Sequence, residues 1–569
     1  MKMNDKLKLA LIPVVLGVFT AIAFIFGAKF GIRYAYNAES LSKPQHKSFD
    51  GESDVIAARK MSDVLHYVSK MYVDTVDMNS LVDRVIPQLT ETLDPHTAYI
   101  KAEDLQITND ELASSFFGIG VQFNLHNDTV NVVQVISGGP SEKVGLRAGD
   151  KIIAVDDSVF VGPKLTNETV VRKLRGPKNT HVKLGIKRAG VNETIDYEVI
   201  RGEVAQETVD AFYMADDITG YVKVDRFGEK THAEFYEALL QLQTEGARRF
   251  IVDLRNNGGG FLPVAGEMLD YLLDEGDTIV YTCGRGETRE NPMEVLMSRR
   301  DPIISAPIVV LINENSASAS EIFAGAIQDN DRGVIVGCRS FGKGLVQQQI
   351  PISGGAALRL TVARYYTPSG RCVQKYYGKD YDYRAETASR YEHGEMTNVD
   401  SMKKVAENDS LKFKTCKLGR TVYAGGGIVP DIFVPLDTNM TPFAKKILLS
   451  DLIYDFSYIY VDKHPSEVEA YKKSGDFVTT YKNLTHSSVY NEFLAYAKKE
   501  KNFVPSADEP QMTQQRIMRL LVSYLIRSIH GSDDHKQRPF YWSYNLEDKA
   551  YQEALKAFVS PEMKMILER

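Results

Sequence analysis

The sequence predicts an α/β core that carries an inserted β-rich module, preceded by a membrane-spanning helix and followed by a helical extension. Three observations carry this reading. Residues 9–28 read LALIPVVLGVFTAIAFIFGA, twenty positions without a charge, and twenty apolar residues in a helix match a hydrocarbon core of about 30 Å. Within 116–200, strand-like runs at 130–136, 151–155 and 181–187 surround one short helical stretch at 167–174. From Gly220 onward, short apolar runs ending in polar loops alternate with helical stretches: FIVDLR at 250–255, PIVVLIN at 307–313 and RGVIVG at 332–337.

Taken in order, Lys2, Lys6 and Lys8 precede the apolar run, as in an export signal. No A-x-A site follows it, so 1–28 reads as an uncleaved anchor, with a cleaved signal as the alternative. The basic start favours an exported body, which places the chain at the inner (cytoplasmic) membrane with its body on the periplasmic side. Residues 29–52 form a polar linker. Residues 53–104 have a helical pattern, with apolar positions at Val64, Leu65, Val68, Met71 and Tyr72, and the proline turn LDPHTAYI (93–100) closes them. The β-rich module spans 105–203 and the α/β core 204–438. Within the core, 375–415 is polar and Tyr-rich, an insertion or a long hairpin. Residues 439–569 form the helical, charged extension.

A chain of 569 residues exceeds what one hydrophobic core organises, so several domains are expected. The net charge of -7 comes without a basic run or stripe, which argues against nucleic acid as a partner. Four cysteines without C-x-x-C spacing argue against a structural zinc site and a disulfide-built fold. No H-E-x-x-H occurs, so zinc peptidase chemistry has no support. No metal, nucleotide or other cofactor is implied.

The chemistry concentrates in NENSASASEIFAGAIQD, 313–329. A strand ends at Asn313 and a helix begins near Ala319. Ser318 stands three residues before Glu321, the spacing of a capping box, so Ser318 reads first as a helix cap. A cap can also be a nucleophile: at a strand-to-helix junction its oxygen is exposed, the helix dipole favours negative charge, and the Ala319 N–H can face a developing oxyanion. G-x-S-x-G is absent, and the cluster NNGGG (256–260) holds no serine. The better base is Lys343 in RSFGKGLVQQQ (339–349), one helix and one strand downstream and flanked by Gly342 and Gly344. A lysine acts as a base only when neutral, and desolvation supplies this. Taken alone, Lys343 reads as a surface loop lysine.

SASASEIFAG, then D-x-x-R-x-V-I-V-G, then FGKGLVQ resemble the carboxy-terminal processing peptidases, or tail-specific proteases of family S41. LDPHTAYI, DLRNNGGG and VYAGGGIVPD (422–431) match the same family in the same order, and the resemblance covers about residues 55–435. It implies a serine endopeptidase with a core of the crotonase/ClpP-like kind. Ser318 is then the nucleophile, Lys343 the general base and Gln347 the group that orients the lysine. Ser316 and Ser320 are supporting residues. The oxyanion hole would combine Ala319 with Gly259, and Asp253 with Arg255 would hold the glycine loop. FFGIGVQF (116–123) and GPSEKVGLRAGDKIIAVDD (139–157) resemble the family's PDZ module. Gly118, Ile119, Gly120 and Val121 would then form a carboxylate-binding loop and strand. Val170, Val171 and Leu174 are pocket walls or, equally, ordinary core. Arg175 is placed to contact the core when a tail is bound. The implied partners are proteins with flexible C-termini, with a catalytically silent PDZ scaffold as the rival reading. The extension is read as an assembly or regulatory element, and homo-oligomerisation is left open.

Overall fold

The computed structural model describes residues 52–112, 115–126, 128–136, 138–147, 149–188, 190–378, 381–398, 411–436, 440–531 and 535–568. The expected anchor at 9–28 lies outside the described residues. Among those described, no helix is long and apolar enough to cross a membrane.

Two compact units divide the chain. The smaller contains helices Glu52–Met71 and Met78–Glu91. Strand Ala98–Ile100 pairs antiparallel with Ala357–Arg359. The LDPHTAYI turn is organised by Asp94, whose Oδ1 accepts the N–H groups of His96 and Thr97 at 2.8 Å each. Of the apolar positions in that helical pattern, Val64, Met71 and Tyr72 are exposed at 58%, 75% and 58%. Periodicity there defines an apolar face without defining what covers it.

The larger unit begins with the β-rich module. Its sheet holds β1 (Val121–His126), β2 (Thr129–Val135), β3 (Lys151–Val155), β4 (His181–Lys187) and β5 (Ile195–Ile200), ordered β1-β2-β3-β4-β5. Helix α1 (Asn167–Leu174) starts at Thr166, whose hydroxyl accepts the Thr169 N–H. Val130, Val132, Ile152, Leu184, Ile186 and Val199 fill the core under it.

The catalytic sheet follows, with strands β6 (Val209–Met214), β7 (Thr219–Val224), β8 (Arg249–Asp253), β9 (Ile308–Ile312), β10 (Gly333–Gly337) and β11 (Ile432–Phe433) side by side in that order. β6 and β7 form an antiparallel pair, and each later neighbour is parallel. Strands β7 to β10 are buried on both faces, which is why they read as unbroken apolar runs. One face is covered by Thr231–Thr244, Leu262–Leu269 and α2 (Ala319–Asp329). The other is covered by residues at 541–566, among them Tyr551, Phe558 and Met563, packed on Tyr221, Ile251 and Leu311. The end of the expected extension is therefore the third layer of the core. Its remainder, from Pro442–Leu448 to Gln511–His530, is a helical assembly with its own apolar core around Phe456, Phe493 and Leu525.

The polar 375–415 stretch contains helix α3 (Glu386–Glu392). A separate antiparallel pair, Lys412–Lys414 with Thr421–Tyr423, follows it.

Candidate active site

Ligand sites of open parallel sheets gather where the strands end at their carboxyl edges. Three loops meet there: 254–261 after β8, 313–318 after β9 and 338–344 after β10. They carry the NNGGG cluster, Ser318 and Lys343.

Ser318 precedes α2 with φ 57° and ψ -115°. A positive φ on serine stores strain of about 1–3 kcal/mol, and such a residue persists only when its surroundings over-determine it. Glu321, fully buried, is one such constraint. Its Oε2 accepts the N–H of Ser318 at 2.9 Å and the N–H of Lys343 at 2.8 Å. Its Oε1 accepts the N–H of Gly342 at 2.7 Å and the Ser340 hydroxyl at 2.6 Å. A second bridge comes from Tyr365, whose hydroxyl contacts the carbonyls of both Ser318 and Lys343. The backbones of the two residues are thus each within reach of one carboxylate oxygen and one phenol oxygen. Burial pushes the Glu321 carboxyl above its ordinary value, against the donors from Ser340, Lys343, Gly342 and Ser318. All four partners donate, which only the ionised, acceptor-only carboxylate satisfies in full.

Lys343 is half-buried, and its Nζ donates to Gln347 Oε1 at 3.2 Å. The hydroxyls of Ser316 and Ser320 are both buried and donate to the carbonyls of Leu254 (2.8 Å) and Asn257 (2.9 Å). They fasten the segment around Ser318 to the 254–257 loop. Asp253 and Arg255 form the root of that loop: Arg255 Nη2 meets Asp253 Oδ2 at 2.6 Å, and Tyr221 donates to the same oxygen at 2.8 Å. Burial alone would raise the Asp253 carboxyl, but Arg255 and then Lys223 beside it hold it at about 2. Arg255 also meets Asp548 at 2.6 Å and Asn545 at 3.2 Å. The C-terminal region therefore helps hold the loop, a contact that no motif announces.

At α2's first helical position, the Ala319 N–H has no intrahelical acceptor. Gly259 differs from expectation. Its N–H donates to Asn257 Oδ1 at 2.8 Å and so is not aimed at an oxyanion in this structure. What Gly259 provides is space: a Cβ there would lie 2.7 Å from Ser318 Cβ, at a φ of +103°. The glycine spacing signalled a tight loop but not the direction of one N–H.

In the β-rich module, Gly118 ends a short strand paired with Gly202. Gly120 has φ +74°, and the carbonyls of Ile119 and Gly120 accept the N–H groups of Ser141 (2.8 Å) and Ile136 (3.0 Å). Val121 opens β1, an edge strand paired only with β2 among the described strands. Ile119, Val170 and Leu174 belong to the module's buried core, while Val171 is half-buried. The guanidinium of Arg175 stacks 4.2 Å from the Phe116 ring centroid, at the mouth of the glycine loop. On β1, Gln122 and Asn124 meet Arg527 (3.2 Å) and Asp455 (3.0 Å) of the helical region.

The fold and this site define a serine peptidase with a peptide-binding module. Residues 218–385 match peptidase family S41, 118–199 match the PDZ domain, and 443–531 match a family of unknown function (DUF8443). The carboxy-terminal-processing protease of Bartonella bacilliformis is 37% identical over 319 residues, 55% of this chain and 72% of that protein. The carboxy-terminal processing protease CtpB of Bacillus subtilis is 30% identical over 370 residues, 63% of this chain and 75% of that one. The structure of a photosystem II D1 C-terminal processing protease is similar at 26% identity and a TM-score of 0.34, covering 64% of this chain and 93% of that one. The chain belongs to the carboxy-terminal processing proteases of peptidase family S41.

Proposed function

We propose that this protein cuts exported proteins presented by their C-terminal tails, through a Ser318–Lys343 dyad on a crotonase/ClpP-like core. The observation that carries the dyad is the single Glu321 oxygen that accepts the N–H groups of both residues. Ser318 Oγ attacks the peptide carbonyl carbon while the free amine of Lys343 takes its proton. The resulting ammonium protonates the leaving amine, and an acyl-Ser318 ester remains. Water then attacks the ester with Lys343 again as base. Gln347 orients Lys343 through its 3.2 Å contact. The Ala319 N–H, at the positive end of α2, faces the oxyanion. The tail adds as a strand to the open edge of β1, its carboxylate held by the Gly118–Gly120 loop. Residues 9–28 anchor the chain, with the body on the exported side of the membrane.

Kinetics of the purified full chain test this. Ser318→Ala should lose cleavage by several orders of magnitude while folding normally. Lys343→Arg should be nearly inactive, because arginine stays charged, and the parent's rate should climb with pH as the amine is freed. A Lys343→Arg protein that still cuts would overturn Lys343 as the base.

A further inference from the structure

The loop that carries Lys343 is gripped from both sides. Glu321 takes its amides, as described above. Its carbonyls are taken by α3, in the segment that had no assigned role. Arg390, 3% exposed, donates from Nη1 to the Ser340 carbonyl at 2.8 Å and from Nη2 to the Phe341 carbonyl at 3.3 Å. Its Nε pairs with Glu386 on the previous turn. Glu386 also receives Lys375 at 3.1 Å. The Lys375 ammonium lies 4.0 Å from the Phe341 ring centroid and 4.2 Å from that of Tyr383, and its backbone N–H donates to the Gly342 carbonyl at 2.9 Å. Arg339 binds the carbonyls of Gly425 and Gly426 and pairs with Glu395 at 2.9 Å.

Arg339, Lys375, Arg390 and Glu386 are buried in this cluster, and Glu395 is half-buried at its rim. Such networks often contribute less stability than apolar packing of equal volume, because each charge is desolvated. Burial and then the neighbouring Arg390 push Arg339 down to about 10, and burial lowers Lys375 as well. What the network does supply is direction. The planar guanidinium fork of Arg390 fixes the successive carbonyls of Ser340 and Phe341, at the same turn whose Gly342 and Lys343 amides Glu321 fixes. A Cβ at Gly344 would lie 2.7 Å from the N of Gln374, the residue before this segment, so the turn is also packed closely against the chain that leads into it. The side chain of Lys343 then leaves a backbone with little freedom to rotate.

We propose that the 375–398 segment is a positioning element for the base, with Arg390 as the positioning residue that holds the Lys343 turn. This rests on the dyad reading above. In the full chain, Arg390→Met should lower kcat at least about tenfold while KM stays within about twofold, since a small misplacement of a reacting group costs rate rather than binding. Arg390→Lys should recover part of the loss, because one ammonium can reach one of the two carbonyls. Glu395→Gln, which removes only the rim partner of Arg339, should lower kcat about two- to fivefold. It also decides the matter if Arg390→Met does not fold: Glu395→Gln at parental kcat overturns the proposal. So does a folded Arg390→Met with parental kcat, or one in which KM alone rises. Lys343→Arg, run alongside, separates the two ideas. If that variant is active, the dyad reading fails; if it is inactive while Arg390→Met is unaffected, only the positioning role fails.

Discussion

Gly259 is the position where a single methyl group should close the site. An added Cβ would meet Ser318 Cβ at 2.7 Å, the Ala317 carbonyl oxygen at 2.8 Å and the Ala319 N at 2.9 Å, at a φ that L residues rarely adopt. Gly259→Ala should therefore lower kcat at least about a hundredfold, with the far-UV circular dichroism spectrum unchanged. Activity within tenfold of the parent would show that the loop relaxes away from Ser318. Glu321 belongs to the same scale. Its spacing from Ser318 marks a helix cap, and its carboxylate does bind the Ser318 N–H. Its other three donors come from residues 19 to 22 positions downstream, so the sequence could not show that the cap also fastens the base.

Among the elements, β6 and the C-terminal helix Arg538–Asn545 meet through a half-buried acid. Asp210 Oδ2 accepts the Tyr541 hydroxyl at 2.7 Å, and the Asp210 carbonyl accepts the Gln537 N–H at 2.9 Å. Burial, and then the neighbouring Asp225, push the Asp210 carboxyl up to about 6. The folded chain thus holds this proton more tightly than the unfolded one, whose value is about 4. The associated stability is fully present below about pH 4 and is lost as pH rises through the folded value. Asp210→Asn keeps an acceptor for Tyr541 and cannot ionise. It should be more stable than the parent by about 1–3 kcal/mol at pH 7, with the advantage gone near pH 4. Urea unfolding at the two pH values checks this; an equal difference at both would assign the effect to packing. The helix Arg538–Asn545 also brings Asn545 to Arg255, and Asp548 follows directly. It reads as part of a charged, appended extension because neither Asp210 nor Arg255 lies nearby along the chain.

For the whole molecule, the PDZ domain precedes the catalytic sheet and touches the helical region through β1. A substrate with a free apolar C-terminus should be cut faster than its amidated form, which offers no carboxylate to the glycine loop. Equal rates at subsaturating concentration would remove tail recognition by this domain. Fractionation and N-terminal sequencing test the anchor: the mature chain should sediment with membranes and keep residues 9–28. A soluble product lacking about the first thirty residues would mark that stretch as a cleaved signal.

The sequence by itself determined the family, the alternation of strands and helices, and the identity of Ser318, Lys343 and Gln347 as the residues to examine. Those features are local: apolar runs of strand length, glycines at tight turns, and short motifs in fixed order. Only the tertiary structure decided how they are held. Glu321 and Tyr365 each reach both Ser318 and Lys343, Arg390 reaches the turn before Lys343, and Asp548 reaches Arg255. It also turned the Gly259 N–H toward Asn257 and placed Val170 and Leu174 in the module's core. These are contacts between residues from 2 to 293 positions apart. Hydrogen-bond direction and burial depend on which surfaces the fold brings together, and spacing along the chain carries no record of that.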